Sequence, residues 1–162
     1  DSLWGLASCA VHYLDLTMWW AREHLLEIDI SKLNSEWLES KRDGFYELSG
    51  ILKAHFSRGT NLILEARKEG NRRNLRVETD KACWNLDELN SVATDPTGTK
   101  TFGRIENQSE MTPRLIDSIL ESGRCELPSI QESIPIHRIF LQKMLMHWNL
   151  SNGYNHEKVP IT

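Results

Sequence analysis

Apolar residues recur at three- and four-residue spacing near the start of the chain: Leu6, Cys9, Ala10, Tyr13, Leu14, Thr17 and Met18. That period predicts a helix over residues 4–23 with this stripe turned to the core. Ser8, His12, Asp15 and Trp19 share a neighbouring face, because residues three or four apart are neighbours on a helix. Trp20 points about 100° away from Trp19, so the two indoles serve different surroundings. The period then shortens to two. "LLEIDI" (25–30) predicts a strand, followed by a loop holding Trp37 and the basic pair of "SKRDGFYE". Residues 45–56 alternate throughout, with Tyr46, Leu48, Leu52, Ala54 and Phe56 on one face and Glu47, Ser49, Lys53 and His55 on the other. "FSRGT" predicts a tight turn with Gly59 at positive φ.

Leu62, Leu64 and Ala66 continue the apolar face, "KEGNRRN" makes the next turn, and Leu75, Val77 and Thr79 begin a further strand. Ala82, Trp84 and Leu86 suggest one more. The sum is an antiparallel meander whose other face mixes Ile51 and Ile63 with charges, open to water or to a second copy. Residues 89–107 read as a loop with a short strand near 101–105. Thr112 and Pro113 then mark a helix start, Leu115, Ile116, Ile119 and Leu120 its buried stripe, and Gly123 its end. A last helix opens at Ser129 with Glu132 three residues on, the pattern of a capping box. Ile130, Ile134, Phe140, Met144, Leu145 and Trp148 run down it, and a polar, turn-rich tail follows. Helix, strands, then two helices predict an α+β domain over residues 1–162, its mostly antiparallel sheet covered by helices on one face.

With 162 residues, 40% hydrophobic, the chain is long enough to bury a core without a metal or disulfide staple. A formal net charge of −4 argues against a general nucleic-acid or membrane surface. Cys9, Cys83 and Cys125 are odd in number and widely spaced, which predicts reduced thiols in a cytoplasmic protein. No run of about 18 apolar residues predicts a membrane span, and the first residues lack a signal-peptide pattern.

Candidate chemistry is sparse. Gly5, Gly44, Gly50 and Gly59 are isolated, and none makes a phosphate-binding turn between strand and helix. The six histidines lack metal-ligand spacing. Ser8, His12 and Asp15 lie within two helical turns, but side chains on one helix diverge and no oxyanion-hole element is evident, which argues against a hydrolytic triad. Two readings stand for His12: a core histidine oriented by Asp15, or a proton donor and acceptor working near neutral pH. Lys41 and Arg42 are either a solvated pair or a grip on an anionic substrate group. His137 and Arg138 read as surface or interface residues. Trp4, Trp19, Trp20 and Trp37 read as core filling, with a pocket rim that stacks on a sugar ring as the alternative.

"GLASCAVHYLDLTMWW", with its H-x-x-D motif at His12 and Asp15, resembles the helix opening the C-terminal domain of Gfo/Idh/MocA-family NAD(P)-dependent oxidoreductases. "KRDGFYELSGILKAHFSRGTNLIL" is similar to that domain's first long hairpin. "SEMTPRLIDSILESGRCELPSIQES" resembles its return helix and the start of its last, and "HWNLSNGYNHEKVPIT" looks like a subgroup found with surface-sugar biosynthesis enzymes. The resemblance spans essentially the whole chain. It implies a substrate-side domain whose partner, an N-terminal Rossmann domain, holds NAD or NADP. The cofactor fingerprint and the E-K-P lysine motif are both absent from this chain. It also implies a carbohydrate-type substrate, a homodimer through the open sheet face, His12 as the residue assisting proton transfer, and a substrate site including Ser8, Asp15, Lys41 and Arg42. The family's frequent aspartate four residues before the histidine is Ser8 here, which removes a carboxylate. A non-catalytic sugar-binding or oligomerisation module on the same fold is the alternative.

Overall fold

A computed structural model of the chain describes residues 5–67, 74–125 and 127–161. Its elements are α1 (Leu6–Ala21), β1 (Leu25–Glu39), β2 (Tyr46–Phe56), β3 (Asn61–Ala66), β4 (Asn74–Glu78), β5 (Cys83–Asp87), β6 (Val92–Thr94), β7 (Lys100–Phe102), α2 (Gln108–Ser122) and α3 (Ile130–Asn152). The architecture is α+β, with three helices and two antiparallel sheets among the described residues. The chain divides into two compact units, one from Asp1–Glu69 and Pro128–Thr162, the other from Gly70–Leu127. Strands that read as one meander therefore form two sheets, ordered β1-β2-β3 and β4-β5-β6-β7. The "KEGNRRN" turn between them lies almost entirely outside the described residues.

In the first unit, α1 packs on β2 and β3, α3 packs on β1, and the two helices touch. The predicted helical stripe lands inward: Leu6, Ala10 and Leu14 join Ile28, Leu48, Leu52, Ile136, Phe140 and Met144 in one core. β1 is longer than "LLEIDI" suggests and includes Trp37. Register shifts at three places along β1 break the period of two, so the sequence hides a strand that pairing with β2 sustains. Gly59 sits in the β2–β3 turn at φ 100°, as its position predicts.

Glu47 and Ser49, on the polar face by alternation, are both buried. Each has a partner that makes burial tolerable. The Ser49 hydroxyl accepts from Asn34 Nδ2 at 2.8 Å. Glu47 Oε2 accepts from the Ala7 N–H at 3.2 Å. That bond matters because α1 opens at Gly5 with no side-chain cap and no acidic residue in its first turn. A strand carboxylate thus fills the role of an N-cap, at the end of the helix where the peptide dipoles favour negative charge. Gly5 leaves the room for it, since a Cβ there would overlap the carboxylate. Glu47→Ala is expected to lower stability by about 2 kcal/mol, because it orphans a buried N–H. Glu47→Gln, which keeps an acceptor, should lose less than half as much in urea unfolding.

α3 begins as its sequence predicts, with Ser129 and Glu132 forming the capping box. Gly153 ends it, and the tail folds back. Asn149 bonds both the N–H and the carbonyl of His156, Pro160 accepts from the Tyr46 N–H, and Val159 and Ile161 pack on the core.

In the second unit, β6 falls inside the predicted loop. α2 starts at Asn107, five residues ahead of Thr112, because Asn107 and Glu110 make a capping box there. Pro113 consequently sits inside the helix rather than in its first turn. The expected buried stripe is largely exposed, with Ile116, Ile119 and Leu120 open to solvent. Spacing marks an apolar face correctly, but among the described residues no strand of this unit packs over it.

Candidate functional site

The outward face of α1 gathers the candidate residues. Ser8 is half-buried, its hydroxyl 3.6 Å from Cys9 Sγ. His12 is exposed one turn later. Asp15 is half-buried: Oδ1 is shielded and has no hydrogen-bond partner among the described residues, while Oδ2 lies 3.8 Å from Nε2 of His137. His137 reaches it from α3, where Ile136 and Phe140 point into the core and turn the intervening His137 towards α1. The face therefore holds two imidazoles and a carboxylate drawn from two helices. His137 and Arg138 read as surface or interface residues from sequence and both are exposed; the approach of His137 to Asp15 is not legible there, because nothing local says that α1 and α3 pack side by side.

Lys41 and Arg42 are exposed in the β1–β2 loop. The Arg42 guanidinium lies 4.5 Å above the Phe45 ring and its carbonyl accepts from Phe45 and Ser40, so its contacts stay within the loop. The structure brings Ser8, His12, Asp15 and His137 onto one face and links neither Lys41 nor Arg42 to them.

Trp19 and Trp20 fill no core. They are 65% and 47% exposed, beside a groove of about 700 Å³ between the end of α1 and the start of α3. Trp37 is half-buried against His147 and Trp148 at centroid distances of 5.6 and 5.1 Å. Trp4 lies outside the described residues.

A shallower cleft of about 490 Å³ runs between β1 and α3, with His55, Lys143 and His147 in its wall. His147 is buried, and its Nδ1 has no hydrogen-bond partner among the described residues. Burial lowers its pKa from the ordinary value near 6.5, with a hydrogen bond to the Leu33 backbone working the other way. The native state thus disfavours the proton that the unfolded chain accepts. Stability should be unaffected by His147 above about pH 6.5 and fall as pH drops from there through the lowered value. Urea midpoints between pH 8 and 5 should show this slope in the natural protein and a shallower one in His147→Leu.

The residues present do not suit a nicotinamide dinucleotide. Binding a pyrophosphate calls for a helix N-terminus with free N–H groups. The first turn of α1 already holds the Glu47 carboxylate, and α2 and α3 hold Glu110 and Glu132. Among the described residues, the glycines at positive φ occupy strand turns, strand β2 or helix C-termini, and none a strand-to-helix turn. Among the described residues no cluster of His, Cys, Asp or Glu is placed to hold a metal ion, and no helix is long and apolar enough to cross a membrane. No protein-family model matches the chain, and no curated protein or solved structure shows significant similarity to it.

Proposed function

We propose that this chain is the substrate-side domain of an NAD(P)-dependent oxidoreductase acting on a sugar or sugar-nucleotide hydroxyl or carbonyl, with His12 moving the proton. The observation that carries the reading is the open imidazole of His12 on a helix whose opposite stripe, Leu6, Ala10 and Leu14, is buried in the core. Histidine is the side chain whose chemistry suits giving or taking a proton in general acid–base catalysis, and the His12 imidazole is open to a substrate. The resemblance along the whole chain implies a proton-transferring histidine at this point of the helix. Asp15 and His137, one turn further on, give a bound sugar hydroxyl two more polar partners. The nicotinamide would be held by another part of the complete protein, since the helix ends of this chain are taken.

The sheet face away from the helices carries Ile63, 63% exposed, and fits a homodimer of the complete protein. The free thiols of Cys83 and Cys125 suit a cytoplasmic compartment. A non-catalytic sugar-binding or oligomerisation module is the second reading, favoured by Ser8, which offers a hydroxyl where the family often has a carboxylate.

Cofactor binding and sugar-dependent turnover of the complete protein test the first reading. The expected result is nicotinamide binding and oxidation or reduction of at least one sugar or sugar nucleotide in a panel. No binding of either nicotinamide cofactor at about 1 mM would remove it.

A further inference from the structure

We propose that the groove between the end of α1 and the start of α3 binds the second ring of a glycoside whose first ring lies at His12. The inference rests on the reading above and narrows its substrate class to a sugar of at least two linked rings. Its first support is the pair of open indoles. Large aromatic side chains are normally covered, yet Trp19 and Trp20 stand 65% and 47% exposed on the wall of a groove of about 700 Å³, within the range of small-molecule sites. An indole offers a broad apolar face to the C–H side of a sugar ring, and the ring's hydroxyls then need polar partners at the edge.

Those partners are present and uncommitted. The side chains of Arg22, His24 and Gln131 line the groove and have no hydrogen-bond partner among the described residues. The carboxylates beside them are already used. Glu23 accepts from the Arg58 N–H at 2.7 Å and the Thr60 hydroxyl at 2.7 Å, and Glu132 is held in the α3 capping box. The two carboxylates are matched by the Arg22 guanidinium and by that of Arg58, which sits beside Glu23 and donates to the Arg22 carbonyl, so the wall carries little net charge. That balance favours a neutral polyhydroxyl group over a phosphate or diphosphate.

The helix sets the span. Trp19 follows His12 by seven residues, two turns, so both share one face about 10 Å apart along the axis. A single pyranose at His12 does not reach the indole, whereas two linked rings do.

Calorimetric titration of the complete protein without nicotinamide, using maltose, cellobiose, lactose, glucose, galactose and UDP-glucose, tests the subsite. At least one disaccharide should bind about tenfold more tightly than either monosaccharide, and Trp19→Ala or Trp20→Ala should remove that advantage. Both side chains are exposed, so the variants should keep the natural circular dichroism. Monosaccharides binding as well as every disaccharide, no disaccharide binding, or unchanged affinity in both variants would overturn the proposal. UDP-glucose binding more tightly than all the disaccharides would overturn it as well. Binding is read apart from turnover. Cofactor-dependent turnover of monosaccharides alone would remove the second-ring site and leave the oxidoreductase reading, and disaccharide binding without any turnover would do the reverse.

Discussion

Gly50→Ala is expected to unfold the first unit or bring it close to unfolding. Gly50 sits in the central strand β2 at φ 117°, a conformation that side chains rarely adopt. A Cβ there would lie 2.7 Å from the Lys32 carbonyl oxygen, and 2.8 Å from both the Asn34 nitrogen and the Leu33 Cα. All three are backbone atoms of the paired strand, at the irregular part of β1, and none has a rotamer to escape into. Backbone strain of this kind costs about 1–3 kcal/mol. Relieving the overlap needs β1 and β2 to separate where Leu33 and Leu48 enter the core, so a total loss above about 4 kcal/mol is expected, against a domain stability of about 5–15 kcal/mol. Gly59→Ala makes the informative contrast. Its φ is 100°, but an added Cβ there meets nothing within 4 Å, so only the conformational term applies, about 1 kcal/mol. Chemical denaturation of both variants separates the effects. Equal losses at the two positions would show that the close approach of β1 has no energetic weight.

The contrast also marks what the sequence makes legible. Signals complete within a few residues reappear in the structure: the α1 stripe, the Gly59 turn, and the Ser129–Glu132 box. Features that depend on a distant partner do not. β1 runs through Trp37 because β2 pairs with it, while its own pattern is scrambled by register shifts. Glu47 looks solvent-facing by alternation, yet it is buried because an uncapped helix needs its carboxylate. The α2 stripe was legible as apolar but not as exposed, since periodicity says which face is apolar and not what covers it. The site divides in the same way. His12 and Asp15 share a face by spacing alone, whereas His137 joins them only through the packing of α3 on α1. The open state of Trp19 and Trp20 had no sequence signal, because an indole on a helix flank reads the same whether a neighbour covers it or not.

The other large effect expected is on turnover. If His12 moves the proton, His12→Ala in the complete protein should lower kcat by about 10²–10⁴-fold with a much smaller change in KM. The side chain is exposed on α1 and lies outside the buried core, so the variant should fold normally. Its loss should also remove one ionisation from the pH profile of kcat/KM, a change that a structural defect does not produce. Asp15→Asn provides the internal comparison. Its carboxylate faces His137 rather than a free surface, so its removal should alter the pH profile and lower kcat less than loss of His12. A His12→Ala enzyme with natural kcat/KM would transfer the proton chemistry elsewhere and favour the binding-module reading. Equal losses in the two variants would instead mean that α1 presents its polar face as one unit, with Asp15 and His137 as necessary as the imidazole that faces the substrate.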